Sequence, residues 1–195
     1  MKQKHCEGTL SELCSDFSLV WNLVLISTLW IVTNFTFFMP KFMMKYIPGS
    51  IYLNTFLSNF ADSFSTISSY WIAKYLGRYT ITFLFALSAI ASIPLIFMDI
   101  TEDQHTIWIP IITFTMSLGV AAAYANLFST HMDNFPVVYN TTTFAFCGFM
   151  ANFFNIFAPM VAEIAYPMPQ LSFTLLNAAA FGVSLLIKPK TSAFY

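Results

Sequence analysis

The charged residues of this 195-residue chain gather into a few short clusters, and the intervals between them are apolar over lengths that match a lipid bilayer. Those intervals lie near 17–39, 50–73, 79–98, 107–130, 140–162 and 170–187. A helix rises 1.5 Å per residue, so roughly 17–25 residues cross about 30 Å of hydrocarbon. The pattern predicts an all-α integral membrane fold with six transmembrane helices in one bundle over 17–187, an N-terminal arm over 1–16 and a tail over 188–195. Composition agrees, because only 9% of residues are charged, against about a quarter in an ordinary soluble domain. Period-two alternation, the mark of a membrane barrel, is absent. The first run is too long for a signal-peptide core and residues 1–16 carry no small-residue cleavage site, so no cleaved leader is expected.

Orientation follows from the basic residues. With six crossings both termini share a side, which collects Lys2, Lys4, Lys74, Arg78, Lys188 and Lys190. The opposite side holds Lys41 and Lys45 beside the acidic loop of Asp99, Glu102 and Asp103. The positive-inside bias therefore predicts cytoplasmic termini. A net charge of −1 without any basic cluster of nucleic-acid type excludes nucleic acid as a partner and leaves the lipid bilayer as the first one.

Metal and cofactor chemistry has no foothold. Cys6, Cys14 and Cys147, and His5, His105 and His131, fall on separate segments without ligand spacing, so neither a metal site nor a disulfide framework is expected. No phosphate loop, nucleophile elbow or zinc-protease motif is present, and no cofactor is called for. The chain does not read as an enzyme, since one acid embedded in a membrane without a second catalytic group defines no reaction.

That acid is Asp62, in the segment SNFADSFSTIS of the second run. At 100° per residue, Thr55, Ser58, Asn59, Asp62, Ser65, Thr66 and Ser69 share an arc of about 120°, opposite Phe56, Phe60, Phe64, Ile67 and Trp71. An isolated carboxylate in lipid costs at least a few kcal/mol and normally faces a bundle interior or a wet cavity. A polar stripe running the length of a helix argues for a solute pathway. No Lys or Arg falls inside any of the six runs, so the expected partner for Asp62 is a proton, a cationic solute or a residue of another chain. On the fifth run Thr141, Ala145, Gly148, Asn152, Asn155 and Pro159 share a face, on which Asn152 and Asn155 either hold helices together or touch solute. Asn34 on the first run and Tyr124 and Asn126 on the fourth add polar groups, whereas the third and sixth runs carry few. Runs one, two, four and five read as pathway-lining, and three and six as peripheral.

The segment WIAKYLGRYTITF after the second run is similar to the D-R-x-G-R loop motif of the major facilitator superfamily, with Gly77 and Arg78 retained and Lys74 at the acidic position. HMDNFPVVYN after the fourth run resembles the E-L-Y-P-T-x-x-R-N signature of the organic cation, anion and zwitterion transporters. Asp133 stands for the Glu, Phe135 for the Tyr and Pro136 for the Pro. In the same ungapped register Asn140 falls on the family's Arg, Asn152 where the family often has a charge, and Pro159 on a family Pro. The resemblance implies helices seven to twelve of a twelve-helix transporter, that is, half of a major facilitator fold built from two inverted three-helix repeats. Arg78 and Asp133 both fall at cytoplasmic helix ends, after the second and fourth runs, so Gly77, Arg78, Asp133 and Pro136 are expected to serve a conformational latch in which Arg78 pairs with Asp133, the alternative being two solvated charges.

Two function classes follow. One is secondary transport of a small solute, an organic cation among the candidates, with Asp62 as its counter-charge. The other is a non-transporting membrane subunit or scaffold. A solute site at the midplane needs two six-helix halves, so the expected partner is a missing N-terminal half or a second copy of the chain. A fragment, a dimerising half and a subunit all stay open, with a fragment of a longer transporter the first expectation.

Overall fold

The computed structural model describes residue 13 and residues 17–46, 51–97, 108–165 and 167–187. The rest of the arm, the tail, and the loop with Asp99, Glu102 and Asp103 lie outside the described residues, as do Cys6, Cys14, His5, His105, Lys2, Lys4, Lys188 and Lys190. Among the described residues every regular element is helical: α1 Phe17–Met43, α2 Ile51–Leu76, α3 Thr80–Phe97, α4 Trp108–Asn134, α5 Val137–Asn155, α6 Ala158–Ala162 and α7 Met168–Leu186. Short 3-10 turns at Met44–Tyr46 and Gly77–Tyr79 extend α1 and link α2 to α3.

Five stretches are long and apolar enough to cross a membrane: Phe17–Tyr46, Ile51–Phe97, Trp108–Asn134, Val137–Ala162 and Met168–Leu186. The second, of 47 residues, contains both α2 and α3. It does not run straight. Ser58 and Ser88 would stand about 45 Å apart on a continuous helix. Yet Ser58 shares a hydroxyl hydrogen bond of 3.1 Å with Ser117, and the Ser88 hydroxyl donates to the Met116 carbonyl at 3.4 Å. The chain folds back at Gly77, whose φ of +53° suits a residue without Cβ. The Thr80 hydroxyl closes the turn by donating to the Gly77 carbonyl at 2.6 Å.

The helices pack in two layers. In the front layer α5 lies against α1, α1 against α4, and α4 against α2. Behind it α7 packs on α1 and α3, and α3 packs on α4. α1 is the central helix, burying Leu19, Leu23, Ile26, Leu29 and Trp30 among others. The outer helices of the front layer bury only narrow strips. On α5 these are Thr143, Cys147 and Ala151, every fourth residue, which is one side of a helix. α3 and α4 approach closely at Gly119, where an added Cβ would stand 3.0 Å from Ser88 Cβ and 3.1 Å from the Leu84 carbonyl. Close approach through small residues is how helices associate where lipid removes the hydrophobic drive between them.

One expected helix is interrupted. The run 140–162 reads as continuous, but α5 ends at Asn155, residues 156–157 form a turn, and α6 starts at Ala158. Pro159 is the cause. It has no N–H to donate and its ring clashes with the carbonyl four residues earlier, that of Asn155. Pro159 is thereby separated from the face that carries Thr141 through Asn155.

Candidate functional site

The polar stripe of α2 divides into two faces. Ser58, Ser65 and Ser69, together with Asn54 and Ala61, are buried, and Ser58 meets Ser117 of α4. This half of the stripe is a packing seam between α2 and α4. The hydroxyls of Ser65 and Thr66 both donate to the Asp62 carbonyl, at 2.7 and 2.9 Å, and Ser69 donates to the Thr66 carbonyl at 2.7 Å. Serine and threonine commonly satisfy themselves this way on a helix, so these three need no water. The seven residues that the sequence puts on one stripe are thus not equally open, since Ser58, Ser65 and Ser69 are packed. Thr55, Asn59 and Thr66 stay exposed and Asp62 half-buried, and these four alone, spaced by four, three and four, point away from the seam.

Asp62 has a partner within the chain, contrary to expectation. Its Oδ2 lies 2.8 Å from Lys41 Nζ, with the side chains 18% and 34% exposed. The apolar run ends at residue 39, but the helix continues to Met43 and places Lys41 in its last turn, where a cation suits the helix dipole. Side chains tilt toward the N-terminus of their own helix, so Lys41 leans back along α1 into the bundle. Asp62, the twelfth residue of α2, leans toward the α2 N-terminus. The two meet near the end of α1, where its 3-10 extension packs on α2.

The ammonium also stands 3.9 Å from the centre of the Phe37 ring. Phe37 in turn stacks on Tyr124 of α4 at 5.4 Å. Tyr124 meets Trp30 edge-on at 5.9 Å and Phe128 at 5.6 Å, and Trp30 meets Phe144 of α5 at 5.3 Å. On α1 the residues Trp30, Asn34, Phe37 and Lys41 are spaced by four, three and four, which places them within an arc of about 60°. One face of the central helix thus carries an indole, an amide, a phenyl ring and an ammonium in line. The front layer presents a groove with a carboxylate–ammonium pair at one end and a wall of aromatic rings beside it.

Amides continue the groove toward α5. Asn34, buried on α1, donates through Nδ2 to Asn152 Oδ1 at a long 3.4 Å, and Asn152 donates to the Gly148 carbonyl at 2.9 Å. The buried Oδ1 atoms of Asn34 and Asn155 accept no hydrogen bond. Unpaired buried amide oxygens occur elsewhere in the bundle too, at Asn134, Gln170 and Asn177, so these two do not by themselves mark a solute site. Tyr124, stacked on Phe37, and Asn152, bonded to Asn34, lie along the face of α1 that carries Lys41, and Asn155 is the last residue of α5.

Asn126 lies elsewhere. It donates to the Ala122 carbonyl at 2.8 Å and lines a separate cavity of about 380 Å³ with Gly77, Arg78 and Asp133 at the other end of α4. The expected Arg78–Asp133 pair is not closed: both side chains border that cavity, and the ion pairs among the described residues are Lys41–Asp62 and Lys45–Glu163. The Arg78 guanidinium lies over the Tyr79 ring, 5.1 Å from its centre, and Asp133 is exposed. Pro136 sits just ahead of α5 with ψ of 146°, outside the helical range, and its carbonyl accepts from the Tyr139 N–H at 3.0 Å.

Sequence reasoning missed Lys41, Phe37 and Trp30. The four-three-four spacing from Trp30 to Lys41 was the signal, overlooked because Lys41 falls beyond the apolar run. Among the described residues no group of His, Cys, Asp and Glu is placed to hold a metal. In comparisons with known proteins, the sequence matches no family model and no curated relative.

Proposed function

We propose that the chain is the membrane half of a secondary transporter of the major facilitator type, moving a small solute along the groove in front of α1, α2, α4 and α5. The observation that carries this reading is Asp62, a carboxylate midway along a membrane-length helix that faces a groove instead of the packing seam beside it. Intramembrane carboxylates are expensive and mark solute or proton paths more often than they serve packing. The layer order supports it as well, with α3 and α7 behind and the polar helices in front. In this reading α2 and α3 each cross the bilayer, so the chain crosses six times with cytoplasmic termini. Solute is held between the front layer and a second six-helix half, whether an N-terminal half or another copy. Arg78 and Asp133 then close on each other in one of the transporter's states. An Arg78→Ala, Asp133→Ala double-mutant cycle with additive effects on uptake overturns that latch.

The test of the main reading is Asp62→Asn in cells or vesicles, with assembly followed by size exclusion. Uptake lost with assembly intact supports transport. Uptake unchanged removes Asp62 from the pathway. A second reading, a non-transporting membrane subunit or scaffold, is favoured by the Lys41–Asp62 pair, since a carboxylate already neutralised within its own chain needs no solute. Lost assembly with no uptake to lose supports that reading.

A further inference from the structure

We propose that Lys41 is a resident competitor for a monovalent organic cation, its ammonium filling the position that the solute's positive charge takes on Asp62 and the Phe37 face. The inference rests on the groove being a solute site and names the class of solute. Its basis is which parts of the site are fixed. Asp62 stands midway along α2, with its backbone carbonyl accepting from Ser65 and Thr66. Phe37 is held by its stack on Tyr124, itself set against Trp30 and Phe128. A carboxylate and an aromatic face converging on one point are complementary to positive charge. The ammonium that now occupies that point, 2.8 Å from Asp62 Oδ2 and 3.9 Å from the Phe37 ring centre, belongs to a flexible four-carbon stem near the end of α1. Such a stem can withdraw toward the membrane interface while its helix stays in place.

An anionic solute drawn to Lys41 fits less well. It would place negative charge beside Asp62 and against the electron-rich ring face of Phe37. A cation meets the same two groups as Lys41 does, and releases an ammonium that has water within reach. The closed pair then belongs to the empty groove, and loading exchanges one cation for another without leaving Asp62 bare.

The experiment measures tetramethylammonium binding to the full chain in lipid nanodiscs by calorimetry, with equal sodium chloride as the ionic control. The proteins compared are wild type, Lys41→Met and Lys41→Arg. Methionine removes the competing charge and keeps an apolar stem, so the apparent Kd tightens about tenfold. Arginine grips the carboxylate through two N–H groups, so binding weakens several-fold. Should Lys41→Met fold poorly, the arginine arm decides alone: unchanged or tighter binding overturns the proposal. Unchanged or weaker binding in a folded Lys41→Met overturns competition, while uptake that still depends on Asp62 leaves the transport reading standing. Failure of tetramethylammonium to bind any of the three, in protein that supports Asp62-dependent uptake, overturns the cation class, and the Asp62→Asn uptake test still reads on transport by itself.

Discussion

Two ion pairs leave the end of α1 one helical turn apart, and they are nearly identical in length. Lys41 meets Asp62 of α2 at 2.8 Å, and Lys45 meets Glu163, just past α6, at 2.9 Å. Each ammonium also lies near an aromatic ring, Phe37 for Lys41 and Tyr46 for Lys45. Their surroundings differ. The inner pair is 34% and 18% exposed and joins α1 to α2, whereas the outer pair is 49% and 60% exposed at the rim of the bundle. Geometry alone does not separate a site from a surface contact. What separates them is how much water each charge recovers when its partner leaves.

The largest difference between the pairs is expected when one acid is removed from each. Asp62→Ala removes the charge-assisted hydrogen bond that joins α1 to α2, and the bundle loses about 1–3 kcal/mol. Unfolding in graded denaturant measures it. Lys41→Met in the Asp62→Ala background changes stability little further, because the freed ammonium withdraws to water on its flexible stem. A large recovery would show that Lys41 is trapped in the groove and not free to leave it.

Next in size is the support behind the inner pair. Gly119→Val forces a side chain against Ser88 Cβ and the Leu84 carbonyl, and overpacking of this kind costs about 1–3 kcal/mol. It moves α4, and with it Tyr124 and Ser117, away from α3. The inner pair is disturbed and the outer one is not, which separate binding and stability measurements resolve. Smaller again is Phe37→Ala. It removes the ring beneath the ammonium and about 0.5–2 kcal/mol of cation–π attraction. By the competition argument it weakens tetramethylammonium and Lys41 together, so net affinity changes less than stability does.

How far the sequence foretold this arrangement depends on the residue. Helical class and membrane length are one-dimensional properties, legible in the apolar runs, and the fold-back at Gly77 was marked by a glycine in the linking segment. The two faces of α2 were not legible. On a helical wheel Ser58, Ser65 and Ser69 are as polar as Thr55, Asn59 and Thr66, and only the position of α4 decides which of them are packed. The pairing of Asp62 was hidden for another reason. Charges had been used to mark where helices stop, so Lys41 read as a loop residue while its helix continued to Met43. Arg78 and Asp133 show the opposite error, in which adjacency at one end of the bundle was readable but the guanidinium turned to Tyr79 instead.

The smallest effect is expected at the outer pair, and it sharpens the comparison most. Glu163→Ala leaves Lys45 exposed and able to recover water, so the melting temperature stays within error of wild type. Raising ionic strength in the wild type screens the same contact and likewise leaves stability unchanged. If Glu163→Ala instead destabilised the bundle as much as Asp62→Ala, exposure would no longer distinguish the two pairs. The end of α1 would then act as a clamp on α2 and the α6 corner at once, and Lys41 would be held for structure and not kept ready to leave.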